Sequence, residues 1–99
     1  MTVRLTREAV DDIGKLGDSR AIAKVRKQLE KFELGNLGDA KPVGEGVSES
    51  RIHYGPGYRV YFFKHQGELI IVACVGDKST QRKDIERAKR IKKEFSEEQ

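Results

Sequence analysis

Arg51, His53, Arg59 and Tyr61 stand at alternating positions on either side of a Gly55-Pro56-Gly57 turn signal. Residues two apart in a strand share a face. With a loop of Gly55–Gly57, Tyr54 pairs with Tyr58, His53 falls opposite Arg59 and Arg51 opposite Tyr61. Opposed side chains then have Cβ atoms about 4.5–5.5 Å apart and form one patch. Lys78, leaving a later strand, reaches the rim. Such a set suits cleavage of RNA by attack of a 2′-hydroxyl on its neighbouring phosphate. That reaction needs a base, fixed positive charge for the phosphorane-like transition state and an acid for the departing 5′-oxygen. Arginine stays protonated, so Arg51 and Arg59 supply charge. His53 belongs to the one residue type that ordinarily exchanges protons near neutrality. Tyr61 can stack on a base or hydrogen-bond a phosphate. The same alternation also describes the solvated side of a half-buried sheet with no chemistry at all.

The elements that must hold these residues are legible from periodicity. Val3–Leu5 is short and β-leaning, and Thr6 suits a helix N-cap. Val10, Ile13 and Leu16 recur at helical spacing, ending at Gly17. Asp18 or Ser19 caps a second helix whose stripe is Ile22, Val25, Leu29 and Phe32, closed by Gly35. These two read as a helical hairpin laid on a sheet. A short strand is expected around Lys41–Val43. Ser48–Tyr54, Tyr58–His65 and Glu68–Val75 alternate as strands of an antiparallel meander. A last helix over about Thr80–Phe95 turns Ile85, Ala88, Ile91 and Phe95 inward and Arg82, Lys83, Lys89, Arg90 and Lys93 outward, with Glu86 spaced to pair with Arg90. Asp84 faces the sheet in this phase, where the dipole of the helix's first turn accounts for an acid. The expected fold is α+β, one domain over residues 1–99.

Composition narrows the function classes. The 99 residues hold 20 Lys+Arg against 16 Asp+Glu, a formal charge of +4, with an isoelectric point near 9.3. That excess leans toward a polyanionic partner, nucleic acid or an acidic protein. The longest apolar run, Leu69–Val75, is far short of the ~18 residues of a membrane helix, and Met1–Leu5 lacks a signal-peptide pattern. Cys74, the one cysteine, lies inside that run as a small core hydrophobe. His53 and His65 have no metal-ligand spacing. A cytoplasmic protein without cofactor, metal or membrane contact is expected.

The run Glu49-Ser50-Arg51-Ile52-His53-Tyr54-Gly55-Pro56-Gly57-Tyr58-Arg59-Val60-Tyr61-Phe62 resembles the RelE/ParE toxin superfamily. Gly76-Asp77-Lys78-Ser79-Thr80-Gln81 and Leu34-Gly35-Asn36-Leu37-Gly38-Asp39 share the resemblance, which is nearest to its HigB-like, addiction-module-killer branch and spans about Leu16 to Ile91. It implies a RelE-like fold, with an N-terminal helical hairpin on a small antiparallel meander and a C-terminal helix. It implies the toxin of a type II toxin–antitoxin system, an mRNA interferase acting at the ribosome as an endoribonuclease. Carried over by position, Arg51 and His53 match two catalytic basic positions, with a hairpin loop one residue shorter. Arg59 matches the phosphate-stabilising arginine and Lys78 a basic residue after the last strand. The base-stacking tyrosine of ribosome-dependent relatives aligns near Asp84 and is absent, which leaves Tyr61 or Tyr54 for that role. Arg82, Lys83 and Lys89 are the further expected RNA contacts. The resemblance also implies a cognate antitoxin, often a helix-turn-helix DNA-binding protein, that covers the basic face. Two alternatives share the fold: a ParE-like gyrase inhibitor without nuclease activity, and an inactive RNA- or protein-binding module.

Overall fold

In the computed structural model, which describes residues 1–97, Thr6 and Asp18 both start helices as their side chains predict. Thr6 accepts from the Ala9 amide at 3.1 Å and Asp18 from the Arg20 amide at 2.9 Å. The order is β1 (Thr2–Leu5), α1 (Arg7–Gly14), α2 (Ser19–Glu33), β2 (Asp39–Gly44), β3 (Val47–Ile52), β4 (Tyr58–His65), β5 (Leu69–Asp77), a 3₁₀ turn (Lys78–Thr80) and α3 (Gln81–Glu97). Gly35, at a φ of 84°, ends α2, and the Asn36 amide returns to the Lys31 carbonyl at 2.8 Å. The expected strand around Lys41–Val43 is present as the longer β2.

One sheet carries the strands in the order β1-β5-β4-β3-β2. Strands β2 to β5 form the antiparallel meander, and β1 adds to β5 in parallel. The fold is α+β, with the meander and C-terminal helix that the resemblance implies. On one face α1 and α2 cover Val60, Phe62, Ile70, Val72 and Val75, with Ala9, Val25 and Phe32 fully buried between. The rings of Phe32 and Phe62 are 4.9 Å apart. The buried side of α2 is Ala21, Val25, Gln28 and Phe32, so Ile22 and Leu29 flank the stripe's centre.

The second face corrects one expectation, that Tyr61 is free to stack on a base: α3 lies across the sheet there and buries Val47, Tyr61, Phe63, Ile71, Ala73 and Cys74 against Ala88 and Ile91. A bulge on β5 makes this packing asymmetric, because Tyr61 pairs with Cys74 but Phe62 with Val72. Ala73 is the extra residue, so both Ala73 and Cys74 face α3 and alternation resumes at Val75. Backbone groups around the bulge are met by α1 and its cap. The Thr6 hydroxyl donates to the Ala73 carbonyl at 2.6 Å, and the Val75 amide donates to Asp12 at 3.0 Å. Burial pushes the Cys74 thiol up to about 12, consistent with a core role.

Helix α3 is pinned by charge as well as packing. Arg87 donates to Asp12 at 2.8 Å, to Asp84 at 3.1 Å and to Glu8 at 3.4 Å. Asp84 is therefore more than a dipole partner: it is 4 % exposed and also accepts from the Thr80 hydroxyl at 2.6 Å. A Cβ on Gly76 would collide with the Asp84 carboxylate, so only glycine fits beneath it. The expected Glu86–Arg90 pair is replaced by Arg90 contacts to Glu94 at 3.1 Å and Glu8 at 3.6 Å.

Phe62→Ala should lower unfolding free energy by about 3–5 kcal/mol in urea titrations, as truncation of a buried aromatic does. An unchanged midpoint would mean that Phe62 is not part of this core. Cys74 in the native protein should resist iodoacetamide at pH 8, where its thiol is protonated, and react once the protein is unfolded.

Candidate active site

The β3–β4 register decides which side chains meet, and it differs from the sequence expectation by two residues. Ile52, not Tyr54, pairs with Tyr58, so Arg51 stands opposite Arg59 and Glu49 opposite Tyr61. The connection is His53–Gly57, closed by a Gly57 amide bond to the Tyr54 carbonyl at 3.0 Å. A slip of two keeps every residue on its face and changes only its partners. His53 therefore lies beyond the last pair and does not face Arg59.

His53 instead meets Asp39, the first residue of β2, across from Arg51. The His53 Nε2 to Asp39 Oδ2 distance is 2.7 Å, and Arg51 donates to the other carboxylate oxygen at 3.3 Å. The bond from His53, then that from Arg51, holds the Asp39 carboxyl below its ordinary range. An ionised carboxylate only accepts, so Nε2 carries the proton shared with Asp39, and Nδ1 is the ring nitrogen left to face a substrate. The imidazole remains 74 % exposed.

Arg59 is anchored differently. It is 9 % exposed, donates through Nη1 to the Gly57 carbonyl at 3.2 Å and lies 3.5 Å from the carboxylate of fully buried Glu49. Gln81 donates to Glu49 Oε1 at 2.9 Å, while Oε2 is buried without a hydrogen-bond partner. The structure gathers Arg51, His53, Arg59 and Lys78, with Gly57 and Tyr58, around one cleft of about 240 Å³ at the end of the sheet. Asp77 sets the Lys78 turn by accepting from the Ser79 amide at 2.8 Å.

Other predicted residues are elsewhere. Tyr61 is fully buried under α3, which removes it as a stacking platform. Burial, then the Glu49 carboxylate, pushes its phenol far above the ordinary range, and its hydroxyl has no hydrogen-bond partner. Tyr54 is half-buried. Lys24 lies 5.0 Å over its ring and Tyr58 stacks beside it. Arg82 and Lys83 are exposed at the start of α3. Lys89 does not join them: it reaches Glu45 at 3.5 Å, at the β2–β3 turn. That turn is the opposite end of β3 from the cleft, roughly 15–20 Å away along the strand.

Sequence reasoning missed Asp39 and Glu49 as site residues. Glu49 shares the alternation of Arg51, so its face was readable, but its salt bridge depends on the register. Nothing local places Asp39 beside His53, because the pairing of β2 with β3 rests on the Gly44–Gly46 turn. The Gly38 preceding Asp39 has its own reason: a Cβ there would collide with the Gln28 amide, which donates to Ser50 beneath it at 2.6 Å. Among the described residues, no cluster of three or more His, Cys, Asp or Glu could hold a metal, and no helix is long and apolar enough to cross a membrane.

An α+β fold with a cationic cleft at one sheet end defines the class, and comparison with known proteins gives the family. Residues 11–95 match the family "Phage derived protein Gp49-like (DUF891)", and the chain belongs to it. An uncharacterized protein of Haemophilus influenzae is 43 % identical over 97 residues, covering 96 % of this chain and 98 % of that one. Among solved structures, a chain of the toxin–antitoxin complex RelBE2 from Mycobacterium tuberculosis superposes with a TM-score of 0.58 at 25 % identity. That match covers 78 % of this chain and 96 % of the other.

Tyr61→Phe removes a buried hydroxyl without a partner and should leave thermal stability within about 1 kcal/mol of the parent, or raise it. A loss of about 2 kcal/mol would mean that the hydroxyl is hydrogen-bonded in solution.

Proposed function

We propose that this protein is the toxin of a toxin–antitoxin pair and a metal-independent endoribonuclease that cuts mRNA on the ribosome. The observation that carries the reading is the convergence of Arg51, Arg59, Lys78 and a carboxylate-held His53 on one cleft. The fold shared with a chain of a toxin–antitoxin complex supports the toxin assignment. Within the superfamily, the motif residues favour the HigB-like branch.

In this mechanism His53 Nδ1 takes the proton of the attacking 2′-hydroxyl while Asp39 holds the ring and balances the imidazolium. The 2′-oxygen bonds to phosphorus, and the bond from phosphorus to the 5′-oxygen breaks. Arg51 and Arg59 donate to the non-bridging oxygens, where charge accumulates in the transition state. Lys78, exposed at the rim, protonates the departing 5′-oxygen. The products are a 2′,3′-cyclic phosphate and a 5′-hydroxyl end. Arg59 is a cation held by the Gly57 carbonyl, an arrangement that places a buried carboxylate beside it. The protein acts in the cytoplasm, and its partner is an antitoxin, a helix-turn-helix protein with an acidic segment that covers the cationic cleft.

The test uses residues that the fold does not need. His53→Ala and Arg51→Ala should each lower cleavage by about 10²-fold or more with unchanged melting temperature, read by primer extension on total RNA after induction in a bacterial host. Asp39→Asn should fall between these and the parent. Arg59→Ala is a poorer test, since it strands the buried Glu49 charge at about 3–5 kcal/mol. Growth arrest without cuts would sink the nuclease reading and favour a gyrase-type target. No arrest from folded protein would point to an inactive binding module.

A further inference from the structure

The cleft adjoins a second, larger depression whose α2 wall the catalytic reading does not use. It holds about 350 Å³ between α2 and the β2–β3 edge, and shares Arg51, Ile52 and His53 with the cleft. Its far wall is Lys24, Lys27 and Lys31. At 100° per residue these three lie within about 60° of arc on α2 and span roughly 10 Å along its axis. Of the acidic residues of the same helix, Glu33 points away in that phase, and Glu30 flanks Lys27 by about 60° but is not part of the groove's lining. The one carboxylate lining the groove, Asp39, is already engaged by Arg51 and His53.

We infer that this groove is the track of the RNA strand beyond the scissile phosphate, with α2 and not α3 gripping the backbone. The inference rests on the ribonuclease reading and extends it to the substrate's path. A stripe of roughly 10 Å matches about two or three nucleotides of a single strand. The stripe begins beside Tyr54, whose ring Lys24 covers. Arg51 and His53 line both this groove and the cleft and so join the two. The α3 cations do not form such a line. Arg82 and Lys83 stand apart from Lys89, which is held by Glu45 at the other end of the sheet. An acidic protein segment fits less well, because half-buried Ile52 and Tyr54 are the only large apolar side chains in the lining. Tight protein contacts need buried apolar or aromatic anchors, whereas phosphate binding needs charge alone.

The test is fluorescence anisotropy of a labelled 2′-O-methyl RNA of roughly 12 nucleotides, within the site sizes of single-strand binders. This probe cannot be cut, so binding is read without chemistry. Lys27→Gln with Lys31→Gln keeps good helix formers on an exposed face, and melting temperature verifies the fold. The pair should weaken binding about tenfold and reduce the slope of log affinity against log salt by about 1.4, two single-strand phosphate contacts. Arg82→Gln with Lys83→Gln should stay within about twofold of the parent. Equal losses in both pairs, or none in the α2 pair, would overturn the track. So would a poly-glutamate peptide that binds the parent more tightly than the RNA does and is lost in the α2 pair, which would make the groove a protein site. Failure of the nuclease reading is distinguishable: cuts would be absent in cells while the probe still bound through Lys27 and Lys31.

Discussion

The carboxylate of Asp12 joins three elements. It accepts the Val75 amide at the β5 bulge and two bonds from Arg87 of α3, at 3.3 and 2.8 Å. Arg87 in turn binds Asp84 and Glu8. Helix α1 on one face and α3 on the other are thus tied across the end of β5. Partly buried charges are costly unless each finds a partner, and here every member has at least one. The network also sets where α3 begins, because Asp84 fits only over Gly76 and Thr80 turns to meet it. From that point the 3₁₀ turn, Lys78 and Gln81 take their places.

The cleft follows from this arrangement. With α3 docked, Gln81 reaches Glu49, Glu49 flanks Arg59, and Arg59 is held at the sheet end with little freedom. Like charges are gathered there because each is paired from behind: Arg51 and His53 by Asp39, Arg59 by Glu49. Pairing reduces the repulsion among the cations in the free protein. It also orients them, so a phosphate meets groups that need little reorganisation. Lys78 and the α2 lysines, without such carboxylate pairs among the described residues, supply the outer field.

Much of the architecture is readable along the chain because it depends on short-range chemistry. Thr6 and Asp18 cap helices, Gly35 ends one, and the apolar alternation of Val60, Phe62, Ile70 and Val72 names the face under the helices. The faces of Arg51, Arg59 and Tyr61 were readable for the same reason. Their neighbours were not. A three-residue loop at Gly55–Gly57 and the five-residue loop His53–Gly57 satisfy the same alternation, since a slip of two leaves every side chain on its own side.

The sequence by itself determined the element order, the caps, the inward face of each strand and the basic character of residues 51, 53, 59 and 78. Tertiary structure alone decided that Arg51 opposes Arg59, that Asp39 holds His53, and that Tyr61 lies under α3 instead of facing substrate. Periodicity says which side of a strand a residue takes, but not whether another layer covers that side. Covering depends on contacts between residues as distant as Asp12 and Arg87, whose pairing leaves no local pattern to read.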